Sequence, residues 1–121
     1  MSILIVEDDD DLRDLVQMML ELEGFEVQTA HHGRDALERV GESMPELILL
    51  DIKMPVMDGW SFAVEFRARH GSSTPIVVMT TAEHAAARAQ GIGAKGWISK
   101  PFAYDDFVKT VRSYLRARAA D

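Results

Sequence analysis

Four short stretches of this sequence end apolar runs on residues that could do chemistry. Glu7-Asp8 follow Ile3-Leu4-Ile5-Val6, and Asp51 follows Leu47-Ile48-Leu49-Leu50. Thr80-Thr81 follow the run from Pro75 to Met79, and Lys100-Pro101 follow Gly96-Trp97-Ile98-Ser99. Three carboxylates brought close together repel one another, so one must keep its proton or a cation must enter. Oxygen ligands without His or Cys suit Mg²⁺, which takes few protein ligands and keeps several waters. A divalent ion, an ammonium and a hydroxyl together neutralise charge and donate to oxygen, as phosphoryl transfer requires. A carboxylate at the centre of that set can itself be the nucleophile and form an aspartyl phosphate.

Each residue alone has an ordinary explanation. A single acid after a strand usually caps a helix or sits in a turn, a single Thr packs, and a single Lys is solvated. Asp9, Asp10 and Asp11 fit a solvated helix start, where acids favour the positive end of the helix dipole. It is the combination at four strand ends that asks for a ligand.

The elements that would bring these ends together are legible in the periodicity. The short β-branched or Leu-rich runs read as strands, and Phe25, Val27 and Thr29 add a further alternating one. Between them lie helical patterns: Leu12, Leu15, Val16, Met19 and Leu22; Ala36, Leu37 and Val40; Trp60, Phe62, Ala63 and Phe66. The Ala-rich "AEHAAARAQG" is helix-prone up to Gly91. Phe107, Val108, Val111 and Leu115 mark the apolar face of a last helix. The order βαβαβαβαβα predicts an α/β fold, a parallel sheet with helices on both faces. In such sheets ligands bind outside the carboxyl ends of the strands, where the four stretches above all end.

Length and composition narrow the class. At 121 residues the chain is expected to be one domain, residues 1–121. Hydrophobic residues make up 47% and charged residues 27%, which is globular composition. There is no cysteine, hence no thiolate metal site. Acids begin after four apolar residues, too soon for a signal peptide or membrane span, so a cytoplasmic location without membrane contact is expected. The net charge of −7 argues against direct nucleic-acid binding. His31, His32, His70 and His84 have no partners at metal-ligand spacing and are expected to be solvated.

"ILIVEDDDDLRDLV", "LILLDIKMPVMDG", "PIVVMTTAEH" and "GAKGWISKPF" together resemble the receiver domains of two-component response regulators, including the single-domain chemotaxis member. The similarity runs from Ile3 to Leu115, and D-x-x-M-P-x-M-D-G with a distant K-P-F is its most specific part. The resemblance implies a flavodoxin-like (βα)5 three-layer sandwich with five parallel strands in the order 2-1-3-4-5. It implies Asp51 as phosphoacceptor and Asp8 as a direct ligand of Mg²⁺, or of Mn²⁺ in its place. Asp51 and the Lys53 main-chain carbonyl would complete the metal set, with Glu7 acting mainly through a metal-bound water. Lys100 would bind phosphoryl oxygen, and the Lys100–Pro101 peptide would be cis. The switch hydroxyl would be Thr80, by its spacing from Pro75, with Thr81 as the alternative. Trp97 stands where most relatives carry Tyr or Phe. The segment from Thr80 to Lys100 is shorter than is common, so the fourth helix is expected to be short or displaced.

A phosphorylation-dependent switch is thereby implied, not an enzyme acting on an outside substrate. Its phosphodonor would be a sensor histidine kinase or a histidine phosphotransfer protein. Its output would be contact with an unknown downstream protein through the fourth helix, fifth strand and fifth helix, a surface that could also form a homodimer. Two other classes fit less well. A phosphatase resembling the haloacid dehalogenases needs a second Asp two residues after the nucleophile, where this chain has Lys53. A degenerate receiver that only binds partners would not need the complete acidic set.

Overall fold

The structure is a computed structural model that describes residues 2–51, 59–71, 73–81, 89–90, 94–100 and 102–120. Strands β1 (Ser2–Val6), β2 (Glu26–Ala30), β3 (Leu47–Asp51), β4 (Ile76–Thr81) and β5 (Gly96–Lys100) form one sheet. All neighbours are parallel and the order is β2-β1-β3-β4-β5, as expected. The helices are α1 (Asp10–Leu22), α2 (Gly33–Glu42), α3 (Gly59–His70) and α4 (Tyr104–Ala120), the last of which is the final helix of the sequence reading. The Ala-rich helix expected before Gly91 lies mostly outside the described residues; of it, Ala89 and Gln90 are helical and Ala89 is buried.

Successive strand residues point to opposite faces of the sheet, and this sorts the core into two halves. Leu4, Val6, Ile48, Leu50, Ile76 and Val78 pack with Ala36, Val40, Phe62 and Phe66 of α2 and α3. Ile3, Ile5, Leu47, Leu49, Val77, Met79 and Ile98 pack with Val16 and Leu20 of α1 and Phe107 and Val111 of α4. The three central strands are covered on both sides, so their sequences are continuous apolar runs rather than alternations.

Local chemistry sets the element ends. The Asp9 carboxylate accepts from the Leu12 N–H at 3.1 Å and caps α1, with Asp10 and Asp11 in the first turn. Gly24, at φ +91°, stops the helix in the left-handed region that favours glycine. Gly96, which opens β5, lies against the Tyr114 hydroxyl of α4, so a Cβ there would have to push that ring aside. On α1 the helical spacing of the apolar residues does not say which stripe is buried. Leu15 and Leu22 are 45% and 70% exposed, and the buried stripe is Val16, Met19 and Leu20. Apolar residues cover two adjacent stripes of this helix, so spacing alone does not choose between them.

Candidate functional site

The two central strands β1 and β3 pair as Val6 with Leu50, and one step beyond that pair stand Glu7 and Asp51. Glu7 continues the phase of Ile3 and Ile5, Asp51 that of Leu47 and Leu49, and Lys100 that of Ile98. All three therefore project toward the side of the sheet covered by α1 and α4. Glu7 is held in place by its N–H, which donates to the Ala30 carbonyl at 3.0 Å. The Lys100 Nζ donates to Glu7 Oε1 at 2.7 Å and lies 3.5 Å from Asp51 Oδ1. Glu7 and Asp51 are buried, at 1% and 7% exposure, while Asp8 is exposed. Oxygens of Glu7, Asp8 and Asp51 lie within 4.8 Å of one another.

Among the described residues, three acids in this pocket share one ammonium, which leaves it short of positive charge. Burial, followed by the hydrogen bond and charge of Glu7, pushes Asp51 up to about 8, and Lys100 offsets only part of this. Burial alone would pull the Lys100 ammonium down, but its hydrogen bond to Glu7 and the charge of Asp51 outweigh that and hold it above its ordinary value. The donor set fits Mg²⁺: three carboxylates, all hard oxygen ligands, converge at a pocket with an exposed lip at Asp8.

A stability consequence follows with a definite sign. The folded-state value of Asp51 lies above its ordinary 3.8, so its contribution is fully present below about 4 and is lost as pH rises toward 8. Without divalent cations, Asp51→Asn should therefore be more stable than wild type at pH 8 and nearly equal to it at pH 4. The full shift would convert to more, but solvent screening at the pocket mouth reduces the expected gain to about 1–3 kcal/mol. Thermal unfolding in a chelating buffer at both pH values reads this directly. A variant less stable than wild type at pH 8 would contradict the repulsion.

The other expected site residues divide into those the structure describes and those it does not. Thr80 is buried at the end of β4, in phase with Val78, and pairs across to Ser99. Thr81 pairs with Lys100 through the strand backbone, and its side chain lies outside the described residues. Trp97 pairs with Val78 and is 45% exposed. It borders an open groove of about 260 Å³ between β5 and α4, with Ser99, Phe102 and Asp106. Lys53 and Pro101 lie outside the described residues, and with them the main-chain ligand and the cis peptide.

Two residues carry roles that sequence reasoning did not assign. His32 is not simply solvated: its Nδ1 accepts from the Asp35 N–H at 3.1 Å and caps α2. The signal was its place just before Gly33-Arg34-Asp35, but His is a rare capping residue. Arg13 donates from NH1 to the Glu7 carbonyl at 3.0 Å and from NH2 to Asp10 Oδ1 at 2.6 Å.

Comparisons with known proteins agree with this geometry. A family model described as the response regulator receiver domain matches residues 3–112. The transcriptional regulatory protein PrrA of Mycobacterium leprae is 38% identical over 120 residues, covering 98% of this chain and 51% of PrrA. Response regulator MprA of Mycobacterium avium is 33% identical over 118 residues, covering 96% of this chain and 51% of MprA. The chain thus spans about half the length of these curated relatives. Chemotaxis protein CheY4 of Vibrio cholerae has a TM-score of 0.84 at 33% identity, covering 93% of this chain and 96% of CheY4. The receiver domain of NtrX from Brucella abortus gives 0.86 at 32% identity, covering 94% and 98%. With the strand order, the acidic pocket and a family match over nearly its whole length, the chain belongs to the response regulator receiver domains of two-component systems.

Proposed function

We propose that the chain works as one receiver unit, residues 1–121, that accepts a phosphoryl group on Asp51 from a phosphohistidine of a sensor kinase or phosphotransfer protein. The observation that carries this reading is the Lys100 ammonium set between Glu7 and Asp51, beside Asp8, at the carboxyl end of the central strands. A carboxylate oxygen of Asp51 attacks phosphorus, a P–O bond forms, and the P–N bond to the donor histidine breaks. The histidine nitrogen keeps the bonding pair. In the reverse direction of signalling, water attacks the same phosphorus, inorganic phosphate leaves, and the Asp51 carboxylate is restored.

Glu7, Asp8, Asp51 and the Lys53 carbonyl would hold Mg²⁺, or Mn²⁺, with Glu7 acting through a bound water. When bound, the ion neutralises charge on the phosphoryl oxygens. Lys100 is the protein's own counter-charge: it shields Asp51 from Glu7 before transfer and donates to a phosphoryl oxygen afterwards. The Thr80 hydroxyl supplies a further donor, and its movement toward the phosphoryl group frees space into which Trp97 turns. Output is then protein contact through the surface of the Ala-rich segment, β5 and α4, where a homodimer would also form. A cytoplasmic location follows from the kinase partner; no helix among the described residues is long and apolar enough to cross a membrane.

Lys100→Ala separates acceptance from switching. Loss of a fixed donor should slow phosphoryl uptake from phosphoramidate on the order of 100-fold while still allowing it. In a Trp60→Phe background, beryllofluoride with Mg²⁺ should blue-shift Trp97 emission in the Lys100 protein and leave it unchanged in the variant. A full blue shift without Lys100 would break the proposed link between the phosphoryl group and β5.

A further inference from the structure

We propose that Arg13 is a positioning residue for the metal pocket: its guanidinium fixes the one peptide plane that joins Glu7 to Asp8. The proposal rests on the reading of Glu7, Asp8 and Asp51 as a Mg²⁺ pocket. The two acids are adjacent in sequence, so a single planar peptide group connects their Cα atoms. The amide on the strand side of Glu7 is fixed by its hydrogen bond to Ala30. Beyond Glu7 the chain leaves the sheet, and its carbonyl is held by Arg13 NH1 at 3.0 Å. The direction of that carbonyl sets the direction in which both carboxylates leave the backbone.

The guanidinium is itself fixed from the other side. Its NH2 donates to Asp10 Oδ1 at 2.6 Å, and the Arg13 side chain is only 16% exposed. The Arg13 N–H donates to the Asp9 carbonyl at 2.9 Å, which roots the residue in the first turn of α1. A rigid fork with donors on two different nitrogens thus bridges helix and strand end. Lysine, with one flexible ammonium, cannot reproduce that bridge. The Glu7 carboxylate is held by Lys100 on one oxygen, at 2.7 Å, and on the other only by a long 3.4 Å contact from the Asp9 N–H.

Charge and geometry give opposite signs, which makes the proposal testable. A cation beside the pocket repels Mg²⁺, so removing it would tighten binding if Arg13 acted only through its field. If Arg13 positions the ligands, removing it weakens binding. Calorimetric Mg²⁺ titration of the full chain should give Arg13→Gln and Arg13→Lys affinities on the order of tenfold below wild type. Asp10→Asn, which removes an exposed anchor, should lose about threefold. In Mg²⁺-free protein the Asp8 backbone amide resonance should shift in both Arg13 variants, and the three-bond HN–Hα coupling of Asp8 should change with it, as a turned peptide requires. Arg13→Gln binding as tightly as wild type, or tighter, overturns the proposal, as does wild-type affinity in Arg13→Lys. Should Arg13→Gln fail to fold, the Arg13→Lys result decides. A wild-type protein that binds no Mg²⁺ would sink the pocket reading, and this proposal with it.

Discussion

Asp8→Ala should weaken Mg²⁺ binding by on the order of 100-fold or more, because it removes the carboxylate at the open lip of the pocket, which we propose as a direct ligand. Asp10→Ala, two residues on, should cost only a few-fold. The two acids belong to the same run of five, yet the structure gives them different work. Asp8 lies between the strand end and the N-cap, with an oxygen within 4.8 Å of those of Glu7 and Asp51. Asp10 lies in the first turn of α1, is 80% exposed and pairs with Arg13. Neither change should unfold the protein. Asp8 is only a minor influence on Asp51, through a side-chain hydrogen bond, so metal-free stability should stay nearly level. Mg²⁺ should raise the melting temperature of wild type by mass action and leave that of Asp8→Ala nearly unmoved. Equal losses of affinity in the two variants would mean that the acidic run acts as a diffuse field rather than as a pocket with one lip residue.

The parts of this site that were legible in the sequence are those fixed by strand ends. Glu7, Asp51 and Lys100 each end an apolar run, and a parallel sheet carries such ends to one edge. Their convergence could be expected before the sheet order was known. The order itself could not, because periodicity says which residues are strands but not which strands are neighbours; it came from resemblance. Phase does not choose between Thr80 and Thr81: Thr80 continues Ile76 and Val78 toward the face of α2 and α3, whereas Thr81 continues Val77 and Met79 on the face that Asp51 shares. β4 also runs past Met79 to Thr81, because its backbone keeps pairing with Ser99 and Lys100 where the apolar run has already ended.

What escaped the sequence is what depends on side chains reaching across the β1–α1 turn or along a helix. Arg13 looks like an ordinary member of a charged helix start until its reach back to the Glu7 carbonyl is seen. His32 looks solvated until its ring is found capping α2. Leu15 and Leu22 fit helical spacing and still face outward, because the sheet's position, not the spacing, decides which stripe is buried.

Intact-mass analysis after incubation with phosphoramidate or acetyl phosphate tests the central claim most directly. The proposed aspartyl phosphate would require Asp51 as nucleophile and a cation to offset three acids. Wild type with Mg²⁺ should gain the mass of one phosphoryl group, and wild type in chelator should gain none. Asp51→Asn keeps the shape of the side chain but lacks the nucleophilic carboxylate, and it should gain none in either buffer. Equal labelling of Asp51→Asn and wild type would contradict the assignment of Asp51 as the phosphoacceptor.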